Sequence, residues 1–289
     1  MVMILGCQNT PEGLEATIVE LEKTTAAPLS EDKANKLIKA YQDYVSTYPD
    51  RGDQNADYLK KGAQLAINTG QFPRATALLT RAIKEHNNAK STNGNILLLG
   101  EVYRDHIKNK NIASTIFQSG QIRYPSDETF SQEVDPKWPP IQVHLDNLKG
   151  GVLDSVKRQI NYANVNDYIV SCAAYAMILP KDTLSPKLLF QAGQLAHQTQ
   201  THNKALEILD WMYLKYPDHP LAADALFLNG YILDSELKRF DEAKKRYEAF
   251  LKKYPDNEFA ETTQFLLENL GVPAEEIIKR FEEEKEPGN

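Results

Sequence analysis

The sequence predicts an all-α protein built as an α-α superhelix, a solenoid of antiparallel helical hairpins in two related halves. Two observations lead to this fold class. Apolar residues recur at helical spacing in paired runs, and each pair of runs ends at a proline that follows a bulky residue. The prolines recur at intervals of 37, 38 or twice 38 residues, at Tyr48-Pro49, Tyr124-Pro125, Leu179-Pro180, Tyr216-Pro217 and Tyr254-Pro255. A repeat length in the thirties with two helical runs is typical of helical solenoids.

The stretch from Pro220 to Leu270 shows one hairpin in full. Its two apolar runs have helical spacing and comprise Ala222, Ala225, Leu226, Leu228 and Ile232, then Phe240, Ala243, Tyr247, Phe250 and Leu251. A polar turn from Ser235 to Arg239 separates them. Pro255 ends the second run, because proline cannot continue a helix and disfavours α geometry in the residue before it.

Two related halves become visible when the sequence is overlaid on itself at an offset of 130 residues. The matched pairs are Ala63 with Gly193, Ala75 with Ala205, Gly100 with Gly230, Ala113 with Ala243, Phe117 with Tyr247, and Tyr124-Pro125 with Tyr254-Pro255. Each half is therefore predicted to hold a lead-in helix, ending at Pro49 or Pro180, and two complete hairpins.

The predicted organisation has four parts. Residues 1–13 are a signal-peptide remnant, lipidation site and tether, residues 14–135 and 136–270 are the two halves, and residues 271–289 are a capping helix and tail. Between the halves, Ser126 to Pro140 is rich in acidic residues and proline and is predicted to be a loop. Ile141 to Ile160 is predicted to form one or two short helices, and Pro273 to Glu284 a last helix with the polar outer surface that a terminal repeat needs.

Composition excludes several classes of protein. The net charge of −7 and the pI near 5.5 argue against a nucleic-acid binder, which needs a positive excess to displace counterions. Only two cysteines occur, so a disulfide framework is excluded, and Cys172 is predicted to be a buried core residue. No stretch of about 18 apolar residues exists that would span a bilayer.

Small residues recur inside the hairpins where two helices approach closely. Ala192-Gly193 and Ala196 precede Ala205 in one unit, and equivalent positions hold Gly62-Ala63, Gly100 and Gly230 elsewhere. With a small residue midway in the first helix, an alanine early in the second, a bulky residue four later and a final proline, the chain resembles the tetratricopeptide repeat (TPR) family. The resemblance covers residues 31 to 125 and 164 to 270. It departs from the family pattern by one or two extra residues between the helices of the units before Pro125 and Pro255.

The resemblance implies a groove lined by the first helix of each hairpin, at which other proteins bind. We refer to these twelve positions as the candidate groove: Lys60, Gln64, Leu97, Glu101, Arg104, Lys187, Phe190, Gln194, His197, Phe227, Tyr231 and Asp234. The paired lysines and asparagines with which some family members hold a peptide's terminal carboxylate are missing, whereas Phe190, Phe227 and Tyr231 suit an apolar or aromatic segment. Alternatively, Phe190 and Phe227 pack between hairpins. The expectation is that charging Phe227 and Tyr231 abolishes binding without changing thermal unfolding.

The N-terminus favours a lipid anchor. Ile4-Leu5-Gly6-Cys7 resembles the lipobox of bacterial lipoproteins, in which a signal peptide is cut before a cysteine that becomes lipidated, although only six residues precede Cys7. The YPD-terminated hairpins are also similar to those of envelope TPR lipoproteins of the barrel-assembly and Tol-Pal-associated type. The resemblance implies a membrane-anchored scaffold in the bacterial cell envelope, facing the periplasm. The alternative is a soluble cytoplasmic TPR adaptor.

No motif for catalysis, metal or cofactor binding is found. The sequence lacks a glycine-rich phosphate loop, a G-x-S-x-G elbow, an H-E-x-x-H and a C-x-x-C. His197 and His202 are five apart, which does not place two metal ligands on one helix face. Asp127, Glu128, Glu133 and Asp135 are predicted to be solvated loop residues. We therefore expect no catalytic residue, metal or cofactor, and an enzyme is the least favoured class.

Overall fold

The computed structural model describes residues 10–24, 30–154 and 156–285, and it consists of antiparallel helical hairpins in two compact units. Cys7 and the rest of the predicted lipobox lie outside the described residues. Unit 1 extends to Gly151 and includes Met177–Pro180; unit 2 comprises Val152–Ala176 and the chain from Lys181 onward. The all-α fold class predicted from the sequence is confirmed. The boundaries 14–135 and 136–270 remain predictions.

The helices of unit 1 follow one another as hairpins. They are α1 (Pro11–Thr24), α2 (Glu31–Thr47), α3 (Gly52–Asn68), α4 (Phe72–Glu85), α5 (Thr92–Glu101) with a π-helical turn π1 (Val102–His106), α6 (Lys110–Arg123), α7 (Glu128–Glu133) and α8 (Ile141–Gly150). Met177–Pro180 is held in this unit by three hydrogen bonds. Arg123 donates to the carbonyls of Ile178 (2.8 Å) and Asn87 (2.6 Å), and the Asn87 amide donates to the carbonyl of Met177 (2.9 Å).

Unit 2 begins with a short antiparallel ribbon and continues as hairpins. Its elements are β1 (Leu153–Asp154), β2 (Gln159–Ile160), α9 (Tyr162–Ile178), α10 (Ser185–Gln198), α11 (His202–Lys215), α12 (Leu221–Tyr231) with π2 (Ile232–Glu236), α13 (Phe240–Lys253), α14 (Ala260–Glu268) and α15 (Ala274–Lys285). Leu153 pairs with Ile160 in the ribbon. Cys172 is fully buried, as predicted. No helix in the described ranges is both long enough and apolar enough to cross a membrane.

The second helices of the hairpins end where the Tyr-Pro pairs predict. Helices α2, α6, α11 and α13 each stop one residue before the tyrosine. The tyrosine N–H still donates to the carbonyl four residues earlier, as in Tyr124 to Gly120 (2.8 Å) and Tyr254 to Phe250 (2.8 Å). The following proline has no N–H with which to continue the ladder, so the helix terminates there.

The 130-residue offset between the halves reappears in the backbone. Helices α4, α6 and π1 coincide with α11, α13 and π2 when 130 is added to both ends of each. The positive-φ residues at the turns correspond in the same way, Gly70 with Gln200 and Lys108 with Lys238. The π turns lie in the two hairpins predicted to carry extra residues, and a π turn accommodates an added residue within a helix. The polar turn predicted from Ser235 is therefore partly helical, since π2 extends to Glu236.

Glycines of the first helices face bulky residues of the second helices. A Cβ built on Gly100 would lie 2.5 Å from the Phe117 ring, and one on Gly230 would lie 2.7 Å from the Tyr247 ring. Real Cβ atoms do not approach other atoms this closely, so the predicted role of these small residues in close helix packing is confirmed.

Replacing either glycine with alanine should overpack the hairpin. We expect Gly100→Ala and Gly230→Ala each to lower the free energy of unfolding by about 1–3 kcal/mol. Gly52→Ala is the control, because a Cβ there would meet nothing within 4 Å. Urea unfolding followed by circular dichroism measures all three. A stability unchanged in the first two variants would contradict this packing.

Helix α1 is the first helix of a hairpin and was missed by the sequence analysis. It begins at Pro11, so the predicted tether of residues 1–13 overlaps a helix, and α2 is the second helix of this hairpin rather than a lead-in helix. Ile18 is 1% exposed and packs in a cluster with Leu37, Tyr41 and Tyr44. The Tyr44 hydroxyl donates to Glu15 (2.8 Å), and burial of these groups fixes α1 against α2.

The α1 contact should weaken in acid. Hydrogen bonds from Tyr44 and Gln54 hold the pKa of Glu15 below its ordinary value of 4.5. The charged carboxylate therefore contributes stability above pH 4.5, and this contribution is lost as the pH falls through the lowered pKa of the folded state. We expect Glu15→Gln to reduce stability at pH 7 and this deficit to shrink toward pH 3, measured by urea unfolding. A deficit independent of pH, or one shared by the exposed Glu12→Gln control, would contradict the assignment.

The segment between the halves differs from its prediction. Ser126 to Pro140 is not a loop throughout, because it contains α7, whose Phe130 is fully buried. Ile141 to Ile160 forms one helix, α8, followed by the β1–β2 ribbon rather than a second helix. Helices α7 and α8 both pack on α6, so residues 112–120 of α6 are buried all round. The predicted last helix is present as α15.

Candidate functional site

In unit 1 the candidate groove spans α3, α5 and π1. Lys60 and Gln64 lie on α3, Leu97 and Glu101 on α5, and Arg104 in π1. Gln64 is exposed, while the others are half-buried. A Cβ built on Gly94 of α5 would lie 2.7 Å from the Lys60 Nζ, which shows that the two first helices are neighbours and that their candidate positions adjoin.

Arg104 is already occupied by other groups of unit 1. Its guanidinium forms ion pairs with Asp105 (2.8 Å) and with Glu133 at the end of α7, and it lies 5.2 Å from the centre of the Phe117 ring. The hydrogen bond with Asp105 raises the pKa of Arg104 further, against the effect of burial. The prediction that Glu133 is a solvated loop residue is therefore wrong, because it pairs with a half-buried arginine.

Trp138 covers the same place. Its ring is stacked on Phe117 with centroids 6.5 Å apart and planes 9° apart. Residues 128–138 thus bring a carboxylate and an aromatic ring to the end of the first helix of this hairpin. The sequence analysis did not assign a role to Trp138. The available signal was the position of one of only two tryptophans among Pro136, Pro139 and Pro140, which restrict the chain.

In unit 2 the candidate groove spans α10, α12 and π2. Lys187, Phe190, Gln194 and His197 lie on α10, Phe227 and Tyr231 on α12, and Asp234 in π2. The rings of His197 and Tyr231 meet edge to face with centroids 6.2 Å apart, so α10 and α12 are adjacent at these positions. Lys187 is exposed and Gln194 is half-buried, whereas Phe190 is only 9% exposed and is a core residue.

Phe227 packs against the following helices. Its ring is stacked on Phe259 at 4.7 Å with planes 10° apart, and it meets Phe250 edge to face at 6.0 Å. Phe227 also borders the buried cluster of Ala223, Leu226 and Phe250. This placement conflicts with the expectation that a charge at Phe227 leaves unfolding unchanged. Tyr231, Gln194 and Lys187 are the positions at which the groove can be altered with less effect on packing.

Two histidines adjoin in the candidate groove of unit 2. The rings of His197 and His202 are 5.6 Å apart, and the His202 Nε2 is 3.8 Å from Glu236 Oε2. Across residues 10–24, 30–154 and 156–285, no group of three His, Cys, Asp or Glu side chains has the arrangement of a metal site.

Asp234 lies at the border between the candidate groove and a pocket. Tyr247 donates a long hydrogen bond to its carboxylate (3.3 Å). Burial raises the pKa of Asp234, while the Tyr247 hydroxyl and the Lys238 ammonium act in the opposite direction. The pocket has a volume of about 370 Å³ and is lined by Asp234, Ser235, Lys238, Phe240, Phe265, Leu266, Asn269, Gly271, Val272, Pro273 and Ile277. The sequence analysis found only Asp234 of this set, because the other residues come from separate helices.

Comparison with known proteins matches one hairpin to a repeat family. Residues 224–257 match the model of the tetratricopeptide repeat. This stretch runs from α12 through π2 and α13 to Asn257. The TPR family is the one that the small residues and prolines resemble, and the match supports that resemblance for the last complete hairpin. It does not test the envelope lipoprotein type.

Curated proteins and solved structures were compared as well. No curated protein matches the chain. Among solved structures, the chain is similar to the TPR2AB-domain:pHSP90-complex of yeast Sti1, with 12% identity, a TM-score of 0.32, and coverage of 89% of this chain and 96% of that chain.

Proposed function

We propose that this chain is a non-catalytic scaffold that binds partner proteins along the candidate groove. The observation that carries the proposal is the adjacency of consecutive first helices within each unit. Lys60 touches α5 in unit 1, and His197 meets Tyr231 in unit 2. Adjacent first helices present side chains from several hairpins on one surface, which is how repeat proteins build extended binding surfaces.

The chemistry of the surface favours a protein segment as the ligand. In unit 2 the half-buried Tyr231, His197 and Gln194 combine aromatic area with hydrogen-bonding groups. Aromatic residues of this kind are enriched among the residues that contribute most to protein interfaces. The similarity of residues 224–257 to the tetratricopeptide repeat supports the same class of function.

Affinity purification tests this part of the proposal. The chain, tagged and expressed in its own host, is expected to co-purify with a protein in near-stoichiometric amount, identified by mass spectrometry. The matched control is a chain carrying Tyr231→Glu, from which the same protein should be missing. Recovery of the wild-type chain alone, or equal recovery of the protein with both chains, would contradict the proposal.

The proposed location is the bacterial cell envelope, with a lipid anchor at Cys7 and the folded units in the periplasm. This part rests on the sequence Ile4-Leu5-Gly6-Cys7 and its resemblance to a lipobox. Acyl chains contribute about 0.8 kcal/mol per buried methylene, so two or more would give stable membrane attachment.

Metabolic labelling with a fatty acid tests the anchor. The chain expressed with its native upstream sequence should incorporate label and sediment with membranes, and Cys7→Ser should do neither. Absence of label in the wild-type chain would favour the alternative, a cytoplasmic adaptor, and would leave the binding proposal intact.

A further inference from the structure

The pocket beside Asp234 has two apolar walls. Phe240, the first residue of α13, forms one wall, and Phe265 of α14 with Val272 and Ile277 forms the other. Phe240 is 37% exposed and Phe265 is 39% exposed. The volume of about 370 Å³ lies within the roughly 300–1,000 Å³ range of ligand pockets. The pocket can therefore take apolar side chains of a ligand.

The aromatic wall is a specific feature of the second half. At the 130-residue offset, the position of Phe240 is held by Lys110 in unit 1. Both residues open the second helix of a hairpin, where a charged side chain is well solvated. The turn at Gly271 lies against Phe240, since a Cβ built on that glycine would be 3.5 Å from the ring. Helix α14 and this turn therefore make a concave site around an apolar residue that the first half lacks.

The charged end of the pocket is also reversed between the halves. Arg104 is the counterpart of Asp234 at the same offset, and both are half-buried in the π turns. Arg104 has an ion pair with Glu133, whereas the carboxylate of Asp234 is contacted by the neutral Tyr247 hydroxyl. Lys238 also borders the pocket, but its side chain is exposed to solvent. A half-buried carboxylate at this position gains most from a basic group that approaches through the pocket.

Unit 1 supplies an example of such a segment within the chain itself. Residues 128–138 present Glu133 to Arg104 and Trp138 to Phe117, five residues apart. The segment thus combines a charge opposite to that of the π turn with an aromatic ring. With the charge of the π turn reversed, the matching segment for unit 2 carries a basic residue near an apolar or aromatic one.

We propose that the pocket formed by Asp234, Phe240 and Phe265 binds a segment of a partner protein that presents a basic side chain to Asp234 and an apolar or aromatic side chain to the two phenylalanines. This inference rests on the proposed scaffold function and specifies part of the partner's chemistry. It places the contact at the end of the candidate groove, in a pocket that Tyr231 does not line.

Selection from a phage-displayed library of random peptides on the full chain tests the inference. Enriched peptides should carry lysine or arginine within a few residues of tryptophan, phenylalanine or leucine. Their affinity, measured by fluorescence anisotropy, should fall about tenfold or more with Asp234→Asn and with Phe265→Ala. Asp218→Asn and Leu214→Ala are matched controls, because both residues are exposed and outside the pocket. Circular dichroism establishes that all variants are folded.

Three results would overturn the inference: selected peptides without the basic and apolar pair, affinities insensitive to both pocket variants, or no enrichment. These failures differ from failure of the scaffold proposal. If partner capture is lost with Tyr231→Glu but unchanged with Phe265→Ala, the pocket inference is overturned and the scaffold proposal stands.

Discussion

Phe130→Ala is expected to lower the free energy of unfolding by about 3–5 kcal/mol, the usual range for a large aromatic residue removed from a core. The Phe130 side chain is fully buried, its ring is stacked on Tyr124 at 5.8 Å, and it lies directly over Gly120 of α6. Truncation therefore leaves a cavity beneath a helix that has no side chain of its own at that point.

The measurement is urea unfolding of the full chain, with Phe240→Ala as the control. Phe240 is the same residue type but is 37% exposed, so its loss should cost much less. A loss below about 1 kcal/mol for Phe130→Ala would mean that residues 126–140 are the loop that composition predicted, with no buried role in unit 1.

Tyr231→Glu is expected to weaken partner binding by about 30-fold or more. This corresponds to the 2 kcal/mol that defines an interface hot spot, at 1.4 kcal/mol for each factor of ten. Tyr231 is half-buried on α12 and its ring meets His197 of α10, so it lies where two first helices adjoin. A carboxylate there must be desolvated when a partner covers the surface.

Lys245→Glu is the matched control, because Lys245 is exposed on the other helix of the same hairpin. It also introduces a glutamate but leaves the candidate groove unchanged. Binding is measured as the concentration of tagged chain needed to capture half of the partner. Equal losses in the two variants would indicate an effect of net charge and would contradict the groove assignment.

The sequence predicted the hairpins well because their signals are local. Helix ends at Tyr124 and Tyr254 follow from proline two positions later, and the close approach at Gly100 and Gly230 follows from small residues at a fixed place in the repeat. The overlay of the halves worked because residue types and backbone turns were kept at the same offset, including the positive φ of Lys108 and Lys238.

The missed features have two causes. Helix α1 did carry a signal, since Leu14, Ile18 and Leu21 have helical spacing and pack on the first cluster. Helix α7 has six residues, too few for an apolar period to show. The ion pair of Arg104 with Glu133 joins residues 29 apart, and no local pattern predicts it.

One signal of the cover on α6 was present in the sequence. Residues 111–122 contain no charged side chain, whereas α13, its counterpart, carries charges along its exposed face. A helix without a charged face is usually covered on every side. The run therefore predicts that something packs on the outer side of α6, although it does not identify α7 and α8.

Photocrosslinking from the candidate groove tests the central claim most directly. A photoreactive amino acid is placed at Gln194 on α10 in one chain and at Lys245 on α13 in another, and both are irradiated in the native host. The account predicts that one and the same partner protein is crosslinked from position 194 and not from position 245. Crosslinking of a partner from position 245 with none from position 194 would contradict it.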